Sequence, residues 1–420
     1  MKISTQPVTV FLACFQLSWG FSVHNTTELL ANMMLFSEEH TYTTEDGYIL
    51  RMFRIPKIGA TPVLFVHGFL GSSDLWLLTN RRNNMPTIFY DEGYDVWLMN
   101  QRGNVYSKRH VMLSSDPGNA EFWNFSFHEI GLFDLAATID HILESTKSDS
   151  LLYVGHSMAT AALMVLCSQR PEYNRKIRGA VLLAPVAYSM GQSKLPFITL
   201  VVNQASFFAN IMYKAHTYEF LPFDETRIKL TYTLCASQVS MCSLILKILF
   251  RTNIKNLVRD EIPIYLSRLS SGTSVKNYEH LGNIVSPGNN FTMYNYGPAK
   301  NQLMYGSPCP PQYNVGSVTV PLALFYSKQD PFLDSHSVAK LKANAPNVIL
   351  DLRVSDPDFQ HLDYLFGINS RPMVTDSILK LIRQMESGVD FRRNIVAKRS
   401  PKLGRRTFLY RLRKVIVQNL

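Results

Sequence analysis

The 420-residue sequence has little charge, and its charge asymmetry sits in one place. Charged residues make up 18% of the chain and apolar residues 46%, against about 25% charged in an average soluble domain. From Phe391 to Leu420 there is no Asp or Glu among ten basic residues (Arg392, Arg393, Lys398, Arg399, Lys402, Arg405, Arg406, Arg411, Arg413, Lys414). Residues 1–390 then hold 32 basic and 32 acidic residues, so the formal charge of +10 belongs to the last thirty. A body with no cationic excess is not a nucleic-acid binder, and no nucleic-acid partner is expected. Internal repeats are absent, which excludes solenoids and propellers. Beyond the N-terminus no apolar run reaches the ~20 residues of a membrane span. Leu195–Tyr213 is broken by Asn203, Gln204 and Asn210, and Val239–Phe250 is too short. The histidines and the five cysteines form no cluster at metal-ligand spacing, so no metal and no organic cofactor is implied.

What is present begins with a leader. Lys2 precedes an uncharged apolar stretch, Val8 to Trp19, followed by small residues at Gly20 and Ser22. This is the pattern of a secretory signal peptide over residues 1–22. Export agrees with three N-x-S/T sequons, at Asn25, Asn124 and Asn290. Secretion is the expected destination, with lysosomal delivery the alternative. Removing the leader removes Cys14 and leaves Cys167, Cys235, Cys242 and Cys309. In an oxidising compartment Cys235 and Cys242 are the candidate disulfide, closing a short loop, and the other two are left unpaired.

Hydrophobic patterning sets the architecture. Thr41–Thr44 and Tyr48–Ile55 flank Glu45-Asp46-Gly47, a hairpin signal. Val63–Val66, Asp95–Asn100, Leu151–Val154, Ala180–Ala184, Leu322–Tyr326 and Val348–Val354 are short, mostly apolar runs, which read as parallel strands buried on both faces. Between them run helical stripes: Leu132, Leu135, Ile139 and Ile142; then Val374, Ile378, Leu381, Ile382 and Met385. Alternating strands and helices imply an α/β protein with a mostly parallel sheet and crossover helices. From Val186 to Ser317 the rhythm stops. That stretch is helical, rich in Phe, Tyr, Leu and Met, and then rich in Gly, Pro and Asn. The expected organisation is therefore a core in two parts, 23–185 and 318–390, a helical cap inserted at 186–317, and a basic tail at 391–420.

Chemistry concentrates at three strand ends. Gly155-His156-Ser157-Met158-Ala159 follows a strand and precedes a helix, the context of a nucleophile elbow, in which small neighbours let strand and helix pass close. A serine hydroxyl needs a histidine base held by a carboxylate. Asp330 follows the strand Leu322–Tyr326 and His361 follows Val348–Val354, giving the order Ser, Asp, His of an α/β-hydrolase fold. Nearby Asp356, Asp358 and Asp363 read as surface-turn acids. An oxyanion hole needs two backbone N–H groups. Met158, after the nucleophile, and Phe69, in His67-Gly68-Phe69-Leu70-Gly71 after an early strand, are the expected donors. The His67 and His156 side chains are expected to brace structure.

With these motifs in place the chain resembles the acid lipases, the gastric and lysosomal lipases and their secreted insect relatives, over about residues 36–386. The likeness is carried by Thr44–Leu50 with Arg54-Ile55-Pro56, by Asp95-Val96-Trp97-Leu98 and above all by Asn100-Gln101-Arg102-Gly103-Asn104-Val105-Tyr106-Ser107. Phe122–Ser126, Glu129-Ile130-Gly131, Arg170–Tyr173, Leu183–Ala187, Glu219–Pro222, Gly272-Thr273-Ser274 and His280 add to it. The resemblance implies hydrolysis of lipid carboxylic esters, triacylglycerols or cholesteryl esters, by Ser157, Asp330 and His361 beneath a cap with a mobile lid. Two positions depart from the family pattern. Met158 and Ala159 stand where Gln and Gly are usual, and Tyr294-Asn295-Tyr296-Gly297 stands for Tyr-Asp-Tyr-Gly. Leu195–Tyr213 has more apolar positions than one helix face can bury, which marks it as lid or acyl site. In the tail, Phe408, Leu412, Val415 and Ile416 share a helical face among cations, a pattern that suits an anionic membrane or a lipid–water interface. The rival readings are a carboxylesterase or serine peptidase on the same fold, and a weakly active lipid-binding secretory protein.

Overall fold

The computed structural model describes residues 22–188, 196–286, 288, 290–333 and 335–387. Most of the expected signal peptide and the whole basic tail lie outside the described residues. Contact clustering separates residues 1–379 from residues 380–420, and the described part of the second unit is the end of helix Asp376–Glu386.

Strands β1 (Glu38–Thr43) and β2 (Tyr48–Ile55) form the expected antiparallel hairpin. Thr44 N–H donates to Tyr48 O (2.8 Å) across the turn. Gly47 takes φ +92°, and a Cβ there would lie 2.8 Å from His110 Nε2, so the turn needs glycine twice over. Next come β3 (Pro62–Val66), β4 (Asp95–Met99), the short β5 (Arg109–His110), β6 (Leu151–His156) and β7 (Ile177–Leu183). A two-residue ribbon, β8 (Glu219–Phe220) with β9 (Thr273–Ser274), precedes β10 (Leu322–Tyr326) and β11 (Val348–Arg353). The main sheet runs β1-β2-β4-β3-β6-β7-β10-β11, with β5 on the end of β2. Neighbours from β4 to β11 are parallel.

Burial explains the order. Every residue of β3, β4 and β6 is buried. Covering such Val, Leu and Phe side chains contributes about 1.5–3 kcal/mol each. One strand departs from expectation. In β11 no residue is fully buried, because it is the sheet's last strand and β10 is its only sheet neighbour. Its apolar Val348, Ile349 and Leu350 resemble an interior strand in sequence, while Asp351, paired with Lys342, marks the edge.

The crossover from β6 is helix Met158–Gln169, with ten of its twelve residues buried. The segment expected as an insertion is helical: Pro196–Asn203, Ala205–Lys214, Glu225–Ser237, Val239–Phe250, Ile262–Ser267, Val275–Val285 and Pro298–Tyr305. The expected disulfide is there. Cys235 and Cys242 are bonded, with Cα atoms 5.5 Å apart, and fasten the 115° corner between two of these helices. Cys167 is buried and free; Cys309 is exposed and free. Among the described residues no single helix is long and apolar enough to cross a membrane.

Candidate active site

The site starts from a strained residue. Ser157 joins β6 to helix Met158–Gln169 with φ +56° and ψ −122°, a conformation a non-glycine residue holds only when its surroundings impose it. Ser157 N–H donates to Leu183 O (2.9 Å) and Thr160 N–H to Ser157 O (2.9 Å), which lock the turn. Small residues are needed around it. A Cβ on Gly155 would lie 2.5 Å from the Tyr153 ring, and one on Gly131 would lie 2.5 Å from Ala162 O in the helix that Ser157 caps. Ala159 is accommodated at full burial, its carbonyl accepting from Tyr153 Oη (2.8 Å).

Three strand ends converge on this turn. His361 Nε2 accepts from Ser157 Oγ (3.0 Å), and His361 Nδ1–H donates to Asp330 Oδ2 (2.8 Å). An ionised carboxylate only accepts, so the Asp330 contact fixes the tautomer that leaves Nε2 free to take a proton. The other Asp330 oxygen accepts from Phe332 N–H (2.9 Å), and the side chain is wholly removed from solvent. Below the ring, His156 Nε2–H donates to the His361 carbonyl (3.0 Å). Burial, with His361 adding, holds His156 well below the usual histidine range, so it stays a neutral brace.

The expected oxyanion loop lies alongside. A Cβ on Gly68 would come 3.0 Å from Ser157 Cβ, so the chain before Phe69 passes directly by the serine. Met158 opens its helix, and its N–H is one of four first-turn donors without an internal acceptor. His67 braces the loop as expected. Its Nδ1–H donates to Gly68 O (2.8 Å), and its Nε2 accepts from Gln101 N–H (3.2 Å). Burial pushes it down to about 4, so the neutral form persists.

The segment Asn100–Ser107 shows what its unusual polarity is for. Gln101 Nε2 donates to His67 O (2.8 Å), Asn104 Nδ2 donates to Asn100 Oδ1 (2.9 Å), and Ser73 N–H donates to the same oxygen (2.9 Å). Arg102, fully buried, pairs with Asp134 (2.6 Å) and Asp46 (2.6 Å) and lies over the Tyr48 ring (3.8 Å). These side chains form a polar bed under the 67–74 loop. Reading the sequence missed this role; four buried polar residues directly after an all-buried strand were the available signal.

Residues of the insertion touch all three loops. Phe220 stacks near Phe69, Ser271 N–H donates to Leu70 O (2.8 Å), and Asn277 Nδ2 points at Met158 Sδ (3.4 Å). Phe250 approaches Phe332, which lies against His361. In the segment expected as lid, Leu195 lies outside the described residues. The remainder exposes Leu200, Phe207, Phe208 and Ile211, the apolar surplus that one face could not bury. A second exposed apolar set was not foreseen: Leu230, Leu234, Met241, Leu244 and Ile248 on the disulfide-linked pair. Asp363 also differs from expectation. It is fully buried rather than a surface-turn acid. Among the described residues no group of three His, Cys, Asp or Glu side chains could hold a metal.

The chain is similar to known proteins over most of its length. Residues 61–368 match the family model "alpha/beta hydrolase fold", and residues 26–80 match "partial alpha/beta-hydrolase lipase region". Lipase 1 of Drosophila melanogaster is 34% identical over 370 residues, 87% of this chain and 81% of that protein. Human gastric triacylglycerol lipase is 33% identical over 375 residues, 86% of this chain and 91% of that one. Among solved structures, an esterase from Exiguobacterium antarcticum aligns with a TM-score of 0.50 at 12% identity, covering 82% of this chain and 98% of that one.

Proposed function

The chain belongs to the α/β-hydrolase fold family and, within it, to the gastric-type acid lipases, and from that membership we propose how its site carries out lipid ester hydrolysis. It is a lipase. Ser157 Oγ attacks the ester carbonyl as its proton passes to His361 Nε2, and Asp330 stabilises the imidazolium. The Phe69 and Met158 N–H groups hold the oxyanion. Collapse expels the alcohol, which takes the proton from His361, and leaves an acyl group on Ser157. Water, deprotonated by His361, then attacks the acyl carbon and releases the fatty acid. The observation that carries this reading is the hydrogen-bonded relay Ser157–His361–Asp330, at 3.0 and 2.8 Å.

The substrate is a long-chain acyl ester, with triacylglycerol favoured over cholesteryl ester because the gastric relatives are triacylglycerol lipases. Residues 186–317 act as the cap, and its exposed apolar helices meet the lipid phase. A peptidase finds no support in such a surface. The enzyme is exported: residues 1–22 are the leader, and Asn25, Asn124 and Asn290 carry glycans. In each of the three, Oδ1 is engaged, with Glu28 N–H, Lys276 Nζ and Lys340 Nζ respectively, which leaves Nδ2 for the sugar. A mass shift on amidase deglycosylation of secreted protein tests this. The basic tail adds affinity for anionic lipid. A 1–390 form binding anionic liposomes as well as the full chain at low salt would remove that part.

The central test is Ser157→Ala, assayed with wild type on short- and long-chain esters from pH 4 to 8. Loss of ~10⁴-fold or more in kcat is expected. Ester cleavage that survives the substitution would overturn the mechanism.

A further inference from the structure

We propose that Asn256, a residue of the insertion, is a positioning residue for His361 and acts through Asp363. The proposal rests on His361 being the base.

His361 sits inside a turn closed from both ends. Gln360 N–H donates to Asp363 Oδ2 (2.8 Å), and Asp363 N–H donates back to Gln360 O (3.1 Å). The residues flanking His361 are thus bonded to each other twice. Asn256 then fastens the turn from above. Its Nδ2 donates to Asp363 Oδ2 (2.8 Å) and to Asp358 O (3.2 Å), and its carbonyl accepts from Ile368 N–H (2.8 Å). One buried side chain with its own backbone therefore holds residues 358, 363 and 368, on both sides of His361. From below, His156 holds the His361 carbonyl. The base is clamped between the sheet and the insertion, and Asn256 forms the upper jaw.

The packing leaves little freedom for another arrangement. A Cβ on Gly367 would lie 2.6 Å from Asp363 O, so the chain leaving the turn crosses directly over Asp363. Asp363 Oδ1 is buried without a partner. Burial pushes this carboxyl up to about 7; Asn256 and Gln360 pull it down, and Asp356 and Asp330 push it up. Asn suits position 256 because its amide donates to a carboxyl in either protonation state.

Asn256 ends the short turn Ile254–Asn256, directly after helix Val239–Phe250 with its exposed apolar side.

The experiment uses the full chain and a water-soluble butyrate ester, so that no interface is involved. Asn256→Ala is expected to lower kcat ~10–100-fold with KM within about twofold, as small displacements of a reacting group do. The rate of Ser157 phosphonylation should fall in the same proportion. Wild-type kcat in Asn256→Ala, or a loss confined to KM, would overturn the proposal. Should Asn256→Ala not fold, Asn256→Asp is the second probe. It sets a carboxylate against Asp363, so its kcat should fall more steeply than that of wild type as pH rises and the two repel. A pH profile parallel to wild type would equally overturn it. Activity remaining in His361→Ala would instead sink the triad reading, whatever Asn256 does.

Discussion

Two helices of this protein are both twelve residues long and both strongly apolar, yet they have opposite surroundings. Met158–Gln169 has ten residues buried; Val239–Phe250 has three, Cys242, Ser243 and Leu246. The first runs from the serine elbow under the sheet, pressed by Gly131 and capped by the strained Ser157. The second is tied by a disulfide to a neighbour that is likewise half bare, and leaves Met241, Leu244 and Ile248 in solvent. Apolar sequence makes a helix cohesive, but the fold decides what covers it. In the core, covering serves rigidity, which keeps three loop residues within hydrogen-bond distance. In the insertion, the uncovered face suits a lipid phase that the protein does not itself supply.

That contrast can be broken by substitution. Of the substitutions that test this contrast, the largest effect on stability is expected in the core. Gly131→Ala forces a methyl group into 2.5 Å contact with Ala162 O and should destabilise by ~1–3 kcal/mol in denaturant unfolding, the usual cost of overpacking. Next comes the disulfide. Replacing both Cys235 and Cys242 by Ser removes a cross-link between residues seven apart, worth ~2 kcal/mol of loop-closure entropy. The loss should stay local, as faster proteolysis within residues 225–250 while the core melting temperature holds. The smallest effect is expected for Leu244→Ser with Ile248→Ser. Both side chains are about half exposed, and stability should change by less than ~0.5 kcal/mol per site. Activity on long-chain emulsions should nevertheless fall, with soluble butyrate ester turnover unchanged. If the serine pair costs as much stability as Gly131→Ala, the two helices are not different in kind.

Asp363→Asn gives a further comparison, between wild type and variant across pH. The Asp363 pKa is raised in the folded state, from 3.8 to about 7. The native protein therefore holds this proton more tightly than the unfolded chain. Its contribution is present below the unfolded value and is lost as pH rises towards 7. The variant should equal wild type near pH 4 and exceed it at pH 8, by up to ~4 kcal/mol.

The sequence revealed the parts whose local pattern is itself the structure. Strands β3, β4 and β6 are mostly apolar runs because both faces are covered, and the serine elbow has to be small on either side. The Cys235–Cys242 pair is legible because the two lie seven residues apart, close enough to shut a short loop. What escaped depends on distant neighbours. Asp356, Asp358 and Asp363 are alike in sequence, yet it is the Asp363 carboxylate that Asn256 meets, from more than one hundred positions earlier. The bed beneath the oxyanion loop was visible only as an odd density of Asn and Gln, and β11 as an edge only through Asp351. The second bare apolar pair escaped because periodicity gives the face of a helix and not what lies against it.

The account's central claim is that Ser157 is the nucleophile and that His361 activates it. The most direct measurement is labelling of the purified protein with a serine-directed alkyl phosphonate, followed by peptide mapping. The account predicts one label per chain, on Ser157, formed at least ~10³-fold more slowly in His361→Ala. Label on another residue, or an unchanged rate in His361→Ala, would contradict it.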